Sequence, residues 1–170
     1  MILTKLFTLS LFASTALASG ATIIAAIDTI SATTTSLDDT VTAWDGTLDG
    51  AAAIVALSDQ LLANTEDGTT VANASDELSL TEAIDVATAT NALAAVVEAA
   101  LDTIVDAKSK FDALGVSVVI LQTLQTQKAA TETFADAVID KVPAILQGTA
   151  QTIVQPILDA FDDAIAAYSS

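Results

Sequence analysis

The 170-residue sequence contains no cysteine, no histidine and no arginine. Without cysteine the chain cannot form disulfides, so packing alone must hold its fold together. The absence of histidine and cysteine excludes Ser–His and Cys–His nucleophile pairs and soft-metal sites. The absence of arginine removes the bidentate clamp that many phosphate-binding proteins use. The sequence therefore predicts no catalytic residue, no metal site and no cofactor.

Basic residues are scarce. Five lysines stand against 22 acidic residues, which gives a net charge of −17. Such a surface repels nucleic-acid phosphates and anionic membranes, so we expect no nucleic-acid partner. Six of the acids form adjacent pairs, at residues 38–39, 76–77 and 162–163. Neighbouring residues on a helix do not face each other, so these pairs indicate solvated surface rather than acid–base catalysis.

Residues 1–18 have the pattern of a secretory signal peptide. Lys5 precedes an apolar stretch that ends in the small-x-small sequence Ala16-Leu17-Ala18. This stretch is too short and wrongly flanked for a membrane span, and no later stretch reaches about 18 uninterrupted apolar residues. We expect cleavage after residue 18, secretion without a transmembrane span, and a single domain over residues 19–170.

The longest apolar stretch, residues 79–115, predicts one long helix. Ser79 and Glu82 form an S-x-x-E capping box at its start, and Gly115 is a typical helix stop. Its middle is apolar nearly all round, and a helix of that kind must be buried nearly all round. We therefore expect it to lie at the centre of the fold.

Apolar spacing and turn residues predict four further helices, over residues 22–48, 51–64, 116–142 and 149–168. The first carries an unbroken stripe with alternating spacings of four and three. Residues 64–77 lack any period and predict an exposed loop, which contains an N-glycosylation sequon at Asn73. Together these elements predict an all-α antiparallel bundle of about five helices around the long central helix.

Four polar residues, Thr34, Asn91, Gln127 and Thr131, interrupt the apolar stripes. They have a purely structural explanation, in which the threonines bond back to their helices, Asn91 fixes helix register and Gln127 faces solvent. They also fit a cavity whose few polar groups orient the head of an apolar ligand. Composition alone does not choose between these readings.

The pattern I-x-x-I-x-x-x-T-x-x-L-x-x-x-V-x-x-W-x-G occupies residues 27–46. With the alanine-rich second helix, Lys108-x-x-Phe111 and Lys141-Val142-Pro143, it resembles the fungal family of hydrophobic-surface-binding protein A and antigenic cell-wall galactomannoproteins. The likeness spans nearly all of the chain after the signal peptide. It implies a secreted or wall-held helical bundle that binds fatty acids or hydrophobic solids such as polyesters, where some members help recruit esterases. Many wall-held members carry a Ser/Thr-rich tail that this sequence lacks, which favours free secretion.

We therefore expect a secreted, non-enzymatic protein that binds a fatty acid or other lipid in a groove of the bundle. A surface-active protein that adsorbs to hydrophobic solids and recruits esterases is one alternative, and a structural wall mannoprotein without a ligand is another. Thr34 and Asn91 are candidates for contact with a polar head group. The predicted ligand-binding residues are Ile27, Ile30, Thr34, Leu37, Ile84, Asn91, Val97, Ile104, Leu124 and Phe134.

Overall fold

The structure is a computed structural model that describes residues 19–170, so the predicted signal peptide lies outside the described residues. This part of the chain is helical throughout, apart from short connections. The helices are α1 (Ser19–Ala43), α2 (Leu48–Ala74), α3 (Leu80–Asp106), α4 (Lys108–Leu114), α5 (Ser117–Ile139) and α6 (Gln147–Tyr168). The all-helical prediction is confirmed. Residues 19–170 form six helices rather than about five, because the predicted helix over residues 79–115 is divided at Ala107.

The five long helices form a closed ring. Each packs mainly against two others, in the order α1, α2, α5, α6, α3 and back to α1. The prediction that the long helix lies at the centre is therefore wrong. Leu93 and Val97 of α3 are buried, whereas Ala95 and Ala99 are exposed. Alanine counts as apolar but is common on surfaces, so the apolar composition of this helix predicted more burial than the structure shows.

Helix α3 is also long and apolar enough to cross a membrane by length and composition, although only a third of the qualifying window is buried. Its start is fixed as predicted. Ser79 Oγ accepts from the Glu82 N–H at 3.3 Å, and Glu82 Oε2 accepts from the Ser79 N–H at 3.0 Å. The predicted stop is also confirmed, because Gly115 ends α4 with a left-handed φ of 71°.

Contacts at the ends of the helices give their directions. The Gly20 N–H donates to Glu82 Oε1 at 3.2 Å, which joins the starts of α1 and α3. The Tyr168 hydroxyl donates to the Ile104 carbonyl at 2.7 Å, which joins the ends of α6 and α3. Helices α1, α3 and α6 therefore run one way, and α2 and α5 run the other. The predicted antiparallel packing holds for α1–α2 and α5–α6, but the other three neighbouring pairs are parallel because connections cross the ends of the bundle.

The loop predicted over residues 64–77 is wrong, because α2 continues to Ala74. Thr65 Oγ1 donates to the Leu61 carbonyl at 2.9 Å, and Thr69 Oγ1 donates to the Thr65 carbonyl at 3.0 Å. Threonines that bond back in this way are satisfied within a helix, and packing against α1 and α5 outweighs their modest propensity. Asn73 therefore lies exposed in the last turn of α2 rather than in a loop. Its glycosylation stays a prediction.

Helix α1 stops at Ala43, whereas the predicted helix over residues 22–48 also included the apolar residues Trp44 and Leu48. Trp44 is buried just beyond the helix, where its indole N–H donates to the Thr47 carbonyl at 2.8 Å. Its ring lies 4.4 Å from that of Phe111, measured between centroids. Leu48 is exposed and begins α2. The chain thus turns where the sequence predicted a continuous helix.

Candidate functional site

Two chambers lie inside the ring of helices. The first chamber is lined mainly by α3, α5 and α6, around Val86, Val138 and Ile153. Its cavity volume, measured with a water-sized sphere, is about 140 Å³. The second chamber lies towards Leu37 and Ile104, and the corresponding volume is about 60 Å³. Interiors normally pack to the density of organic crystals, so space of this kind shows that the side chains on the inner helix faces do not fill the ring completely.

The two chambers meet at a constriction formed by four side chains that line both of them: Leu93, Thr131, Phe134 and Ile157. Three of these are apolar, and Phe134 is the largest. The chambers therefore adjoin inside the ring, with these side chains between them, and we call the two chambers together the channel.

Nine of the ten predicted ligand-binding residues line these chambers. They are Ile27 and Ile84 in the first chamber, Ile30, Thr34, Leu37, Val97, Ile104 and Leu124 in the second, and Phe134 in both. Asn91 lines neither chamber. It is exposed, and its Nδ2 donates to the Ala87 carbonyl at 3.0 Å. A ligand-binding role for the nine stays a prediction, and the structure places Asn91 away from them.

Gln127 contributes an amide side chain to the lining of the second chamber, and 6% of the surface of this residue is exposed. Its Nε2 donates to the Ser58 carbonyl of α2 at 2.7 Å. The structural reading in which Gln127 faces solvent is therefore wrong. The signal that could have found it was in the sequence, because Gln127 and Thr131 are four residues apart on one face of an apolar helix. Nothing in the sequence pointed to Ser58.

Few side chains in the channel can still donate a hydrogen bond. The hydroxyls of Thr34 and Thr90 donate to the carbonyls four residues earlier, each at 2.8 Å. Within residues 19–170, the hydroxyls of Ser58, Thr131 and Thr149 have no such partner, and the Gln127 amide has a second N–H to offer. The available donors of the second chamber thus lie on α5 and the facing part of α2, and Thr149 of α6 supplies one more in the first chamber.

Two of these donors, on Ser58 and Gln127, lie next to solvent. The Thr123 hydroxyl beside them donates to the Val119 carbonyl. Ser58, Thr123 and Gln127 line both the second chamber and a shallow groove on the outer surface between α2 and α5. We call this group of three residues the polar window. At the other end, Ile84 lines the first chamber while being 61% exposed. The channel therefore has a polar side opening near its middle and an apolar rim at one end.

No titratable side chain of the described residues lines either chamber. The carboxylates and lysines lie outside the channel, where hydrogen bonds shift the pKa values of some of them. Bonds from Ser79 and Gly20 lower the pKa of Glu82, and the ion pair with Asp162 at 2.6 Å raises the pKa of Lys128. An uncharged apolar interior favours an apolar guest and provides no acid or base that could act on it.

A ring of helices around a neutral apolar channel defines a helical binding protein. A family model described as hydrophobic surface binding protein A matches residues 20–140, and the chain belongs to this family. The predicted resemblance is thereby confirmed. Cell wall mannoprotein 1 of Aspergillus flavus is 31% identical over 142 residues, which are 84% of this chain and 51% of that protein. Cell wall mannoprotein 1 of Aspergillus fumigatus is 26% identical over 145 residues, which are 85% of this chain and 50% of that protein. The chain thus spans about half the length of these curated relatives.

Solved structures share the fold. Afmp4p in complex with palmitic acid superposes with a TM-score of 0.85 at 29% identity, over 88% of this chain and 99% of that one. Ligand binding domain 1 of the Penicillium marneffei MP1 protein, complexed with arachidonic acids, gives a TM-score of 0.85 at 21% identity, over 89% of this chain and 99% of that one. The second likeness concerns the fold alone.

Proposed function

We propose that this protein binds one long-chain fatty acid in the channel inside its ring of helices and catalyses no reaction. The observation that carries the proposal is the two-chamber channel, which is apolar and uncharged and has hydrogen-bond donors of α2 and α5 beside its second chamber. The relative Afmp4p, which shares the fold at 29% identity, was solved with palmitic acid.

The polar window is the place for the carboxylate. A charged head group loses least when it stays near water and accepts hydrogen bonds. Ser58 and Gln127 can donate there, and the outer groove gives access to solvent. The acyl chain would then run through the second chamber, pass the constriction at Phe134 and end in the first chamber.

The expected affinity follows from burial of the chain. About 14 methylenes at about 0.8 kcal/mol each contribute about 11 kcal/mol. Association costs at least about 4 kcal/mol, which leaves at most about 7 kcal/mol and a Kd no tighter than the order of 10 μM. The head-group contacts need only orient the molecule.

The cellular setting is part of the proposal. Residues 1–18 have the pattern of a signal peptide, and curated relatives are cell wall mannoproteins. We propose that the chain is secreted, that residues 19–170 form its single domain, and that Asn73, exposed at the end of α2, carries a glycan.

One observation favours a second function, adsorption to hydrophobic solids. Leu80 and Ile84, four residues apart on α3, are 57% and 61% exposed, and Ile145 in the connection before α6 is 84% exposed. All three lie at the end of the bundle where the first chamber opens. Such a rim fits contact with a waxy or polyester surface, to which the protein would recruit a secreted esterase.

Titration calorimetry and bead adsorption separate these functions. Delipidated protein should bind hexadecanoic acid with a stoichiometry near one if the channel holds the ligand. An adsorbing protein would instead bind polyester beads in proportion to their area and show no saturable uptake of the free acid. A protein that ignored both ligands would be a structural wall protein, and both proposals would fail.

A further inference from the structure

Phe134 stands at the narrowest place in the channel. Of the four residues at the constriction, it contributes the largest side chain, and only 6% of its surface is exposed. Leu93 of α3 and Ile157 of α6 face it across the channel. A ligand that extends from the polar window into the first chamber passes the Phe134 ring.

Gly68 of α2 lies directly behind this ring. A Cβ atom added to Gly68 would lie 3.1 Å from Cε2 and 3.4 Å from Cδ2 of Phe134, and 3.4 Å from Cδ1 of Ile30. Glycine in the middle of a helix costs about 1 kcal/mol relative to alanine. The φ of Gly68 is helical, so the backbone does not require glycine there. What the missing Cβ provides is space for the Phe134 ring on the side away from the channel.

The geometry points to a chain-length gate. We propose that Phe134, seated against Gly68, is the specificity-determining residue that admits the end of a long straight acyl chain into the first chamber. This inference rests on the proposed function, because it concerns the same channel. Because Gly68 has no Cβ, the ring sits close to α2, and a Cβ at this position would push the ring towards the channel.

The distance along α5 sets the length at which the gate acts. Gln127 and Phe134 are seven residues apart, which is about 10 Å at 1.5 Å per residue. An extended chain advances about 1.2 Å per bond, as extended backbone does over its three bonds per residue. A carboxylate at the polar window therefore places about the ninth carbon at Phe134. Decanoic acid would end near the gate, whereas hexadecanoic acid must pass it.

The test compares the Kd values of decanoic and hexadecanoic acids in the same protein. In Gly68→Ala, the added Cβ presses on the ring, and we expect hexadecanoic acid to bind about tenfold more weakly with little change for decanoic acid. The double variant Gly68→Ala/Phe134→Leu should restore the binding of hexadecanoic acid, because leucine leaves the space that the new Cβ needs. Gly148→Ala, whose Cβ would meet nothing within 4 Å, is the matched control and should bind both acids as the unaltered protein does.

A structural role for Gly68 would give a different result. In that case Gly68→Ala would lower the unfolding temperature and weaken the binding of both acids by the same factor. The double variant would restore neither binding, and that outcome overturns the gate. Should Gly68→Ala not fold, Phe134→Leu alone decides. It should improve the binding of a hexadecanoic acid with a mid-chain methyl branch relative to the straight acid, and an unchanged ratio overturns the gate. Failure of the unaltered protein to bind any fatty acid would instead refute the proposed function.

Discussion

The Gly20 N–H, at the start of α1, donates to Oε1 of Glu82 at the start of α3 over 3.2 Å. The other carboxylate oxygen of Glu82 accepts from the N–H and the hydroxyl of Ser79, at 3.0 and 2.7 Å. One side chain thus caps its own helix and ties it to a parallel neighbour. A Cβ on Gly20 would lie 2.8 Å from Cβ of Glu82, so this close approach requires glycine.

These bonds make part of the stability depend on pH. Hydrogen bonds from Ser79 and then from Gly20 hold the pKa of Glu82 below its ordinary value of 4.5. A lowered folded pKa stabilises the protein above pH 4.5, and this contribution is lost as the pH falls through the folded pKa. Urea unfolding of the protein and of Glu82→Gln should therefore show a stability difference that is constant well above pH 4.5 and shrinks below it. A difference that persisted unchanged into strong acid would contradict the assignment.

Tyr168 should show the opposite pH dependence. Burial, and secondarily the charge of Asp112, raise the pKa of this phenol above its ordinary value of 10.0. A raised folded pKa gives stability that is fully present below pH 10 and is lost as the pH rises above it. Tyr168 is the only tyrosine in the chain, so tyrosinate absorbance reports on it alone among tyrosines. We expect its ionisation to coincide with alkaline unfolding, and a normal titration in the folded protein would refute this.

Loss of the Tyr168 hydroxyl should also be measurable at neutral pH. It donates to the Ile104 carbonyl at 2.7 Å, and a bond of this kind contributes about 1 kcal/mol. Tyr168→Phe should thus unfold at lower urea concentration, while losing the stability change above pH 10. The ring still packs near Phe111, with centroids 6.4 Å apart, so the fold should survive.

The polar window predicts which amide senses the head group. Gln127→Leu removes the free N–H beside the second chamber, and a hydrogen bond to a charged group is worth about 1.5–3 kcal/mol. Its Kd for hexadecanoic acid should rise by about tenfold or more, with much less change for the methyl ester. Asn91→Leu alters an exposed amide outside the channel and is the control. An equal loss of affinity for the acid and for the methyl ester would show that Gln127 does not bind the head group.

The bend after α1 depends on Gly50. A Cβ there would lie 2.4 Å from Cδ1 and 2.8 Å from Nε1 of Trp44, which is buried against Phe111. Gly50→Ala should therefore destabilise the protein by about 1–3 kcal/mol, the usual cost of overpacking. Gly148→Ala, with open space around its Cβ, should change the unfolding free energy by no more than about 1 kcal/mol. Similar effects of the two substitutions would contradict the packing at Trp44.

Local signals in the sequence were reliable where one short stretch decides the structure. The capping box at Ser79 and the left-handed stop at Gly115 involve only neighbouring residues, and both are confirmed. The apolar stripe from Ile23 to Val41 is likewise buried along its length. Periodicity of this kind depends on the geometry of a single helix.

Features that depend on distant residues could not be predicted. The second half of α2 looks like a loop in the sequence, but its buried residues Thr65, Gly68 and Ala72 pack inside the ring. An apolar stripe shows that a helix has a buried face without naming its neighbour, so the ring order and the parallel pairs were not accessible. For the same reason Asn91 and Gln127 looked alike, although only Gln127 lies beside the channel.

The sequence was compatible with a channel inside the bundle, but it did not predict the shape of that channel. Alanine-rich helices can close up on each other or leave a space, and composition fits both outcomes. The closed ring of five helices leaves space, because the side chains on its inner faces do not fill its interior. Phe134 and Thr131 come from α5, whereas Leu93 and Ile157 come from α3 and α6, so no local pattern links them.

Native mass spectrometry of delipidated protein with added hexadecanoic acid shows whether the ring of helices holds a guest. We expect a mass increase of one fatty acid per chain that saturates at micromolar concentration, and we expect a second long-chain acid to displace the first. Protein that acquired no lipid, or that gained lipid without saturation, would show that the ring of helices does not hold a guest.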